Sequence, residues 1–301
     1  MENFLLIGIC VIAGMLFSRS KVLPADAHKG INAWIINLAL PAVSLRYLSH
    51  IHWSKELILP ATTPLAVWLG SWLLIRLYAI MQKIPKATEG GLKLATGLSN
   101  TTFIGFPLIV AYYSEKELGI AIIYDQLNFM ILATAGIIVA VHSAKKEALS
   151  IAVIARRLLK FPPFLGCMAA LILPNFVDIT PLDPLFTKMA GTVGPLALFS
   201  IGLQLKFKGW QNHIKYISAA LLYKLIIAPL LVFGIVLLSG IKGTIGQISV
   251  FESAMPTLIT AGIIAEEYDL DPTLVNLIIG IGIVISFITT GVWWLVLEFL
   301  K

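Results

Sequence analysis

The sequence predicts an all-α polytopic membrane protein: ten transmembrane helices in two inverted five-helix repeats, with the fourth helix of each repeat broken. Three observations carry this. Of 301 residues, 58% are hydrophobic and 13% charged, and mean hydropathy is +0.90, whereas a soluble domain carries roughly 25% charged residues. The apolar runs are long enough to span a bilayer as helices, about 20 residues each, and lack the alternation of an outer-membrane barrel. One run, residues 95–108, holds a polar break, and a second run in the other half repeats it.

The spans fall at about 3–18, 30–48, 57–80, 90–112 and 118–142, then 162–177, 185–204, 214–239, 245–266 and 273–298. The first is not a signal peptide, because Glu2 precedes the apolar stretch and Arg19 and Lys21 follow it, the reverse of the usual order. Lys/Arg asymmetry orients the set. Arg19, Lys21 and Lys29 lie between spans 1 and 2, and Lys83 and Lys86, with Arg76 near them, between spans 3 and 4. Lys145, Lys146, Arg156, Arg157 and Lys160 lie between spans 5 and 6, and Lys206, Lys208 and Lys215 between spans 7 and 8. The opposite connections hold Lys55, Lys116, Lys188 and Lys242, with Arg46 near one of them. The basic side is assigned to the cytoplasm of a cell inner (plasma) membrane, which leaves both termini outside. The connection between spans 9 and 10 falls on the basic side yet carries Glu266, Glu267, Asp269 and Asp271; acidic residues contribute little to this rule.

The net charge of +6 is thus a matter of topology, not nucleic-acid binding. Residues 143–160 mix basic residues with Leu149, Ile151, Val153 and Ile154. They read as a cytoplasmic basic amphipathic linker at the lipid surface, or as a tether between halves. It divides the chain into a first repeat, 1–142, and a second, 161–301. Five spans per repeat is an odd number, so the repeats enter the membrane from opposite sides. Proline punctuation tests the pairing. Pro41 and Pro195 lie in the second span of each half, and Pro107 and Pro256 in the fourth. The separation from Pro41 to Pro107 is 66 residues, and from Pro195 to Pro256 it is 61. Paired Gly/Pro-interrupted spans point to a transporter's substrate site.

Four stretches carry a resemblance. They are Asn37-Leu-Ala-Leu-Pro41, Ser99-Asn100-Thr-Thr-Phe-Ile-Gly105-Phe-Pro107-Leu, Gly194-Pro195-Leu-Ala-Leu-Phe-Ser-Ile-Gly202 and Ala254-Met-Pro256-Thr257. Together they resemble the auxin efflux carrier family, in its bacterial membrane-transport branch, over the whole chain. The resemblance implies a fold related to bile acid/sodium symporters, in which broken helices 4 and 9 cross near mid-membrane. It also implies a scaffold from helices 1, 2, 6 and 7, a transporter domain from helices 3–5 and 8–10, and a homodimer through the scaffold. Carriage of small organic anions, such as mono- or dicarboxylates, is implied as well. Thr102 stands where the bacterial motif commonly has glycine, and the second break offers Glu252, Ser253 and Thr257 in place of the plant carriers' asparagine. Plant substrates are therefore not carried over.

Beside the resemblance stands a physical argument. A helix break frees N–H groups on one side, and half-helix N-termini attract anions. Asn100, Thr101, Thr102, Ser253 and Thr257, with Pro107 and Pro256 setting the breaks, are the candidate substrate-binding residues. Their alternative role is to satisfy one another. Glu252 is an acid in mid-span, which insertion scales put at about 2.5–3.5 kcal/mol, so it is functional or paired. It can relay a proton or pair with Lys224. Asp125, Gln126 and Asn128 add a polar cluster in span 5. H+ and Na+ both stay open as coupling ions.

Cys10 and Cys167 lie in apolar runs and suggest neither disulfide nor metal. The five histidines offer no metal spacing. No Gly-x-Ser-x-Gly, His-Glu-x-x-His or Walker A pattern occurs, so neither an enzyme nor self-contained ATP-driven pumping is expected. The leading function is a secondary carrier working by alternating access, with a channel as the rival.

Overall fold

The computed structural model describes residues 2–20, 22–144, 159–205 and 209–298, and every regular element among them is helical. In chain order these are α1 Glu2–Ser20, α2 Ala27–Leu48, α3 Lys55–Gln82, α4 Lys86–Gly97, α5 Thr101–Tyr112 and α6 Glu115–Ser143. Then follow α7 Pro162–Asn175, α8 Thr180–Gln204, α9 Trp210–Ser239, α10 Thr244–Ser253, α11 Ile259–Tyr268 and α12 Pro272–Leu297. Seven of them (α1, α2, α3, α6, α8, α9 and α12) are long and apolar enough to cross a membrane, and α5 and α7 are shorter apolar helices. Of the basic linker expected at 143–160, residues 145–158 lie outside the described residues.

Proline sets much of the local irregularity. It has no N–H to donate, and its ring clashes with the carbonyl four residues back. In α2 a π turn, Ile35–Ala39, precedes Pro41. In α5 the π turn Thr101–Gly105 precedes Pro107, and in α9 Tyr223–Ile227 precedes Pro229. The wider turn accommodates each ring. Pro64, by contrast, sits inside an uninterrupted α-helical stretch of α3. In α8 the chain is interrupted at Gly191–Thr192, and Pro195 falls in the first turn of the segment that follows. There the missing N–H leaves no bond unmade.

The described residues group into two compact units. The first draws on Met1–Ser54, Thr102–Ile122 and Arg156–Leu205. Its tightest seam joins α1 to the second half of α8. A Cβ on Gly14 would come within 2.3 Å of the Phe199 carbonyl, and one on Gly202 within 2.3 Å of the Val11 carbonyl. Only glycine admits that approach, and in lipid such close packing replaces the hydrophobic effect as the driving force between helices. Ser18 Oγ donates to the Leu203 carbonyl at 3.1 Å, and Ser200 Oγ to Asn32 Oδ1 at 2.6 Å. On the other face of α1, Leu5, Ile9, Ile12 and Leu16 are exposed, as side chains that meet acyl chains must be. Near the end of α2, Arg46 and His50 both reach Asp183, at 3.3 and 3.0 Å.

The second unit draws on Lys55–Thr101, Ile123–Ala155 and Lys206–Lys301. Its core holds an unusual number of buried polar side chains, among them Thr96, Ser99, Asn100, Thr101, Asn128, Lys224, Glu252 and Ser253. Each must find a partner or be costly in a dry interior. Their concentration marks where the helical ladders stop.

Candidate functional site

Two helices of the second unit end inside the unit's core. α4 stops at Gly97, and Leu98 is extended, with φ −117° and ψ 127°. α10 stops at Ser253, and the chain runs through Pro256 to an extended Leu258, φ −61° and ψ 130°, before α11. The interruption of the first arm thus lies at 98–100, upstream of Gly105 and Pro107. Pro256 stands in the gap itself, whereas Pro107 lies inside α5, just after its opening π turn.

The two gaps hold each other by main-chain bonds. Asn100 N–H donates to the Pro256 carbonyl at 2.7 Å, and Leu258 N–H to the Leu98 carbonyl at 3.1 Å. Ser99 and Thr257 form an isolated antiparallel bridge. Side chains complete the set. Had α4 continued, Ser99 N–H would bond the Ala95 carbonyl. Instead Ser99 N–H donates to Asn128 Oδ1 at 3.1 Å, and the Ala95 carbonyl accepts from Thr257 Oγ1 at 2.6 Å. The Asn128 amide also donates to the Ser99 carbonyl, at 2.8 Å. One amide therefore serves both main-chain groups of Ser99, as a neighbouring strand would. An unsatisfied buried main-chain group costs about 1–3 kcal/mol, so these bonds are what lets an open helix end exist at this depth.

Lys224 lies in the π turn of α9 and is fully buried. Its Nζ donates to Ser99 Oγ and to the Ser253 carbonyl, each at 2.8 Å. The Ser253 carbonyl is one of the orphans at the end of α10, where partial negative charge favours an ammonium. The ion pair with Glu252 that the sequence left open is not what holds Lys224: no salt bridge within 4.0 Å joins the two. Glu252, one residue from Ser253, is fully buried, and neither carboxyl oxygen accepts a hydrogen bond. Thr101 donates its hydroxyl to Asp125 Oδ1, and Gln126 Nε2 approaches Asp125 Oδ2 at 3.5 Å.

The structure therefore brings Asn100, Thr101, Ser253, Pro256, Thr257, Glu252, Asp125, Gln126, Asn128 and Lys224 into one buried polar cluster of the second unit. Thr102 and Pro107 belong to the first. There Pro107 lines a cavity of about 150 Å³ together with Tyr47, Glu115, Gly194 and Pro195, and Tyr47 Oη donates to Glu115 Oε2 at 3.3 Å. Ser99, not among the candidate site residues of the sequence, joins α9, α6 and the second gap through one residue. Its signal was its place, one step before Asn100 at the helix end. Among the described residues no group of His, Cys, Asp and Glu could hold a metal ion.

With this geometry in hand, comparison with known proteins is direct. The family model described as "Membrane transport protein" matches residues 1–294. An uncharacterized transporter of Methanothermobacter thermautotrophicus is 25% identical over 303 residues, covering 98% of each chain. A putative malonate transporter of Rhizobium meliloti is 27% identical over 274 residues, 86% of this chain and 83% of the relative. A probable auxin efflux carrier component 9 of Oryza sativa is 30% identical over 158 residues, 47% of this chain and 35% of the relative. These names describe transport and not catalysis.

Proposed function

Because this chain belongs to the membrane transport protein family, we propose that it is a secondary carrier of small organic anions, mono- or dicarboxylates, that works by alternating access. The observation that carries the reading is the pair of interrupted helices whose main chains bond to each other beside a buried lysine. The segments that leave the gaps, α5 and α11, begin there. Half-helix N-termini bear about half a positive charge and suit a carboxylate. Lys224 adds a buried amine donor within the same cluster. A relative described as a "putative malonate transporter", matched over most of the chain's length, supports the substrate class.

In this reading α4 with α5, and α10 with α11, are the two crossing helices of an inverted repeat of ten spans. Spans 1, 2, 6 and 7 act as a dimerising scaffold, and spans 3–5 and 8–10 as the moving transporter domain, in an inner membrane with both termini outside. The clustered polar residues are closed to solvent, so substrate reaches them only when the protein rearranges. Asn100, Thr101, Ser253 and Thr257 line the substrate's position, with Thr102 and the prolines setting its approach. Glu252, with no hydrogen-bond donor on either oxygen, is the candidate proton carrier, with H+ as the proposed coupling ion and Na+ as the alternative.

Counterflow in proteoliposomes tests the proposal. Labelled malonate should accumulate transiently against unlabelled malonate inside, and Asn100→Ala should lower that exchange at least tenfold while the protein still melts cooperatively. Absence of exchange for every mono- and dicarboxylate tried would sink the reading. Conduction without exchange would favour a channel. Uptake by Glu252→Gln that keeps the wild-type pH dependence would remove proton coupling alone.

A further inference from the structure

A second cluster of charge lies in the second unit, away from the helix gaps, where the end of α3, the start of α4 and the end of α6 enclose a cavity of about 560 Å³. Glu89 stands at its centre. Arg76 Nη1 donates to both Glu89 oxygens, at 3.3 and 3.0 Å, and Lys93 Nζ donates to one of them at 2.7 Å. Lys93 also sits 4.9 Å above the ring of Trp72. Glu89 and Lys93 are buried, and Arg76 is about half exposed, with 48% of its side chain accessible. Lys86 opens α4 at the same cavity and His142 closes the other wall. Three fixed cations thus face one carboxylate, and the cavity keeps an excess of positive charge. Arg76 contacts Glu89 through one nitrogen, so the rest of its planar fork remains available to a second anion.

We propose that this cavity holds the phosphate headgroup of an anionic membrane phospholipid. The charge calls for a phosphate, and the walls say where that phosphate is attached. Trp72 and Ile138 line the cavity yet are 45% and 59% exposed. The same face of α3 continues through exposed Leu69, Leu73, Leu77 and Ile80. In a membrane protein such a face meets acyl chains, so the cavity opens beside lipid tails. Tryptophan at headgroup level and basic pockets between helices are features of interfacial anchoring. The Lys/Arg asymmetry assigns this end of α3 to the cytoplasmic side, where anionic lipids exert their surface potential. Arg76 and Lys86 would grip the phosphate. Lys93, bound to Glu89 and stacked on Trp72, positions them.

The full-length protein in nanodiscs provides the test, with phosphatidylglycerol in phosphatidylcholine compared with phosphatidylcholine alone. Native mass spectrometry should find one phosphatidylglycerol retained per chain, and the melting temperature should rise in the mixed discs. Lys86→Gln and Arg76→Gln should each lower retention at least fivefold, and Lys242→Gln, an exposed lysine outside the cavity, should leave it intact. Lys86 is exposed, so its variant keeps the fold. Equal stabilisation by both lipids would overturn the proposal, as would retention unchanged in Lys86→Gln or equally lost in Lys242→Gln. If glycerol 3-phosphate reproduced the stabilisation in pure phosphatidylcholine discs, the site would bind a soluble anion and the lipid assignment would fall.

Discussion

Replacing Asn128 with leucine removes the side chain that serves both main-chain groups of Ser99 while nearly keeping its volume. The wild-type bonds are 3.1 and 2.8 Å long, and Asn128 and Ser99 are 3% and 1% exposed, so water cannot take over. Two orphaned buried groups at about 1–3 kcal/mol each give about 2–6 kcal/mol. Interhelical side-chain bonds measured in a membrane protein average about 0.6 kcal/mol, because the unfolded chain in the membrane finds other partners. That correction sets a floor near 1.2 kcal/mol for two bonds. It is too severe here, because Ser99 offers main-chain groups at a broken helix end. We expect Asn128→Leu to lose about 2–4 kcal/mol, read as a melting temperature lower by about 5 °C or more in detergent. A loss below about 0.5 kcal/mol would refute the reasoning, because the gap would then be held by its main-chain bonds alone.

Thr257→Val keeps shape and removes the single bond to the Ala95 carbonyl; it should cost about half as much as Asn128→Leu in the same melting assay, about 1–2 kcal/mol. Gly14→Val would drive a branched side chain into the Phe199 carbonyl, so the seam between α1 and α8 should open, with sharply lower yield of folded, monodisperse protein on size-exclusion chromatography. Asp183→Asn weakens the contacts to Arg46 and His50, but those partners are 32% and 43% exposed. The loss should therefore stay under about 1 kcal/mol and shrink with added salt in thermal melts.

The all-helical character was legible from composition and run length, and the polar interruptions from Asn100, Thr101 and Glu252 standing in apolar runs. The place of the first interruption was less so. Proline drew attention to Pro107, yet the structure absorbs that ring in a π turn and opens the helix at Leu98–Asn100. A proline announces a missing N–H, but whether the helix widens or stops depends on what lies across from it. Lys224 shows the same limit. Its charge suggested Glu252 as partner, and its actual acceptors are a hydroxyl and a carbonyl at a helix end. Helix-end carbonyls have no sequence signature, because every residue owns one. Asn128 was visible as a polar residue in α6, but nothing local to it names Ser99, 29 positions away.

The bonds between the two gaps run from the amide of residue 100 to the carbonyl of 256 and from the amide of 258 to the carbonyl of 98. Main-chain groups are the same whatever side chain they carry, proline excepted. Conservative changes of the side chains at 98 and 258 therefore leave the bonding groups of that fastening in place. At position 258 a lineage of such proteins can exchange side chains of similar size, proline excepted, while the joint between the arms persists.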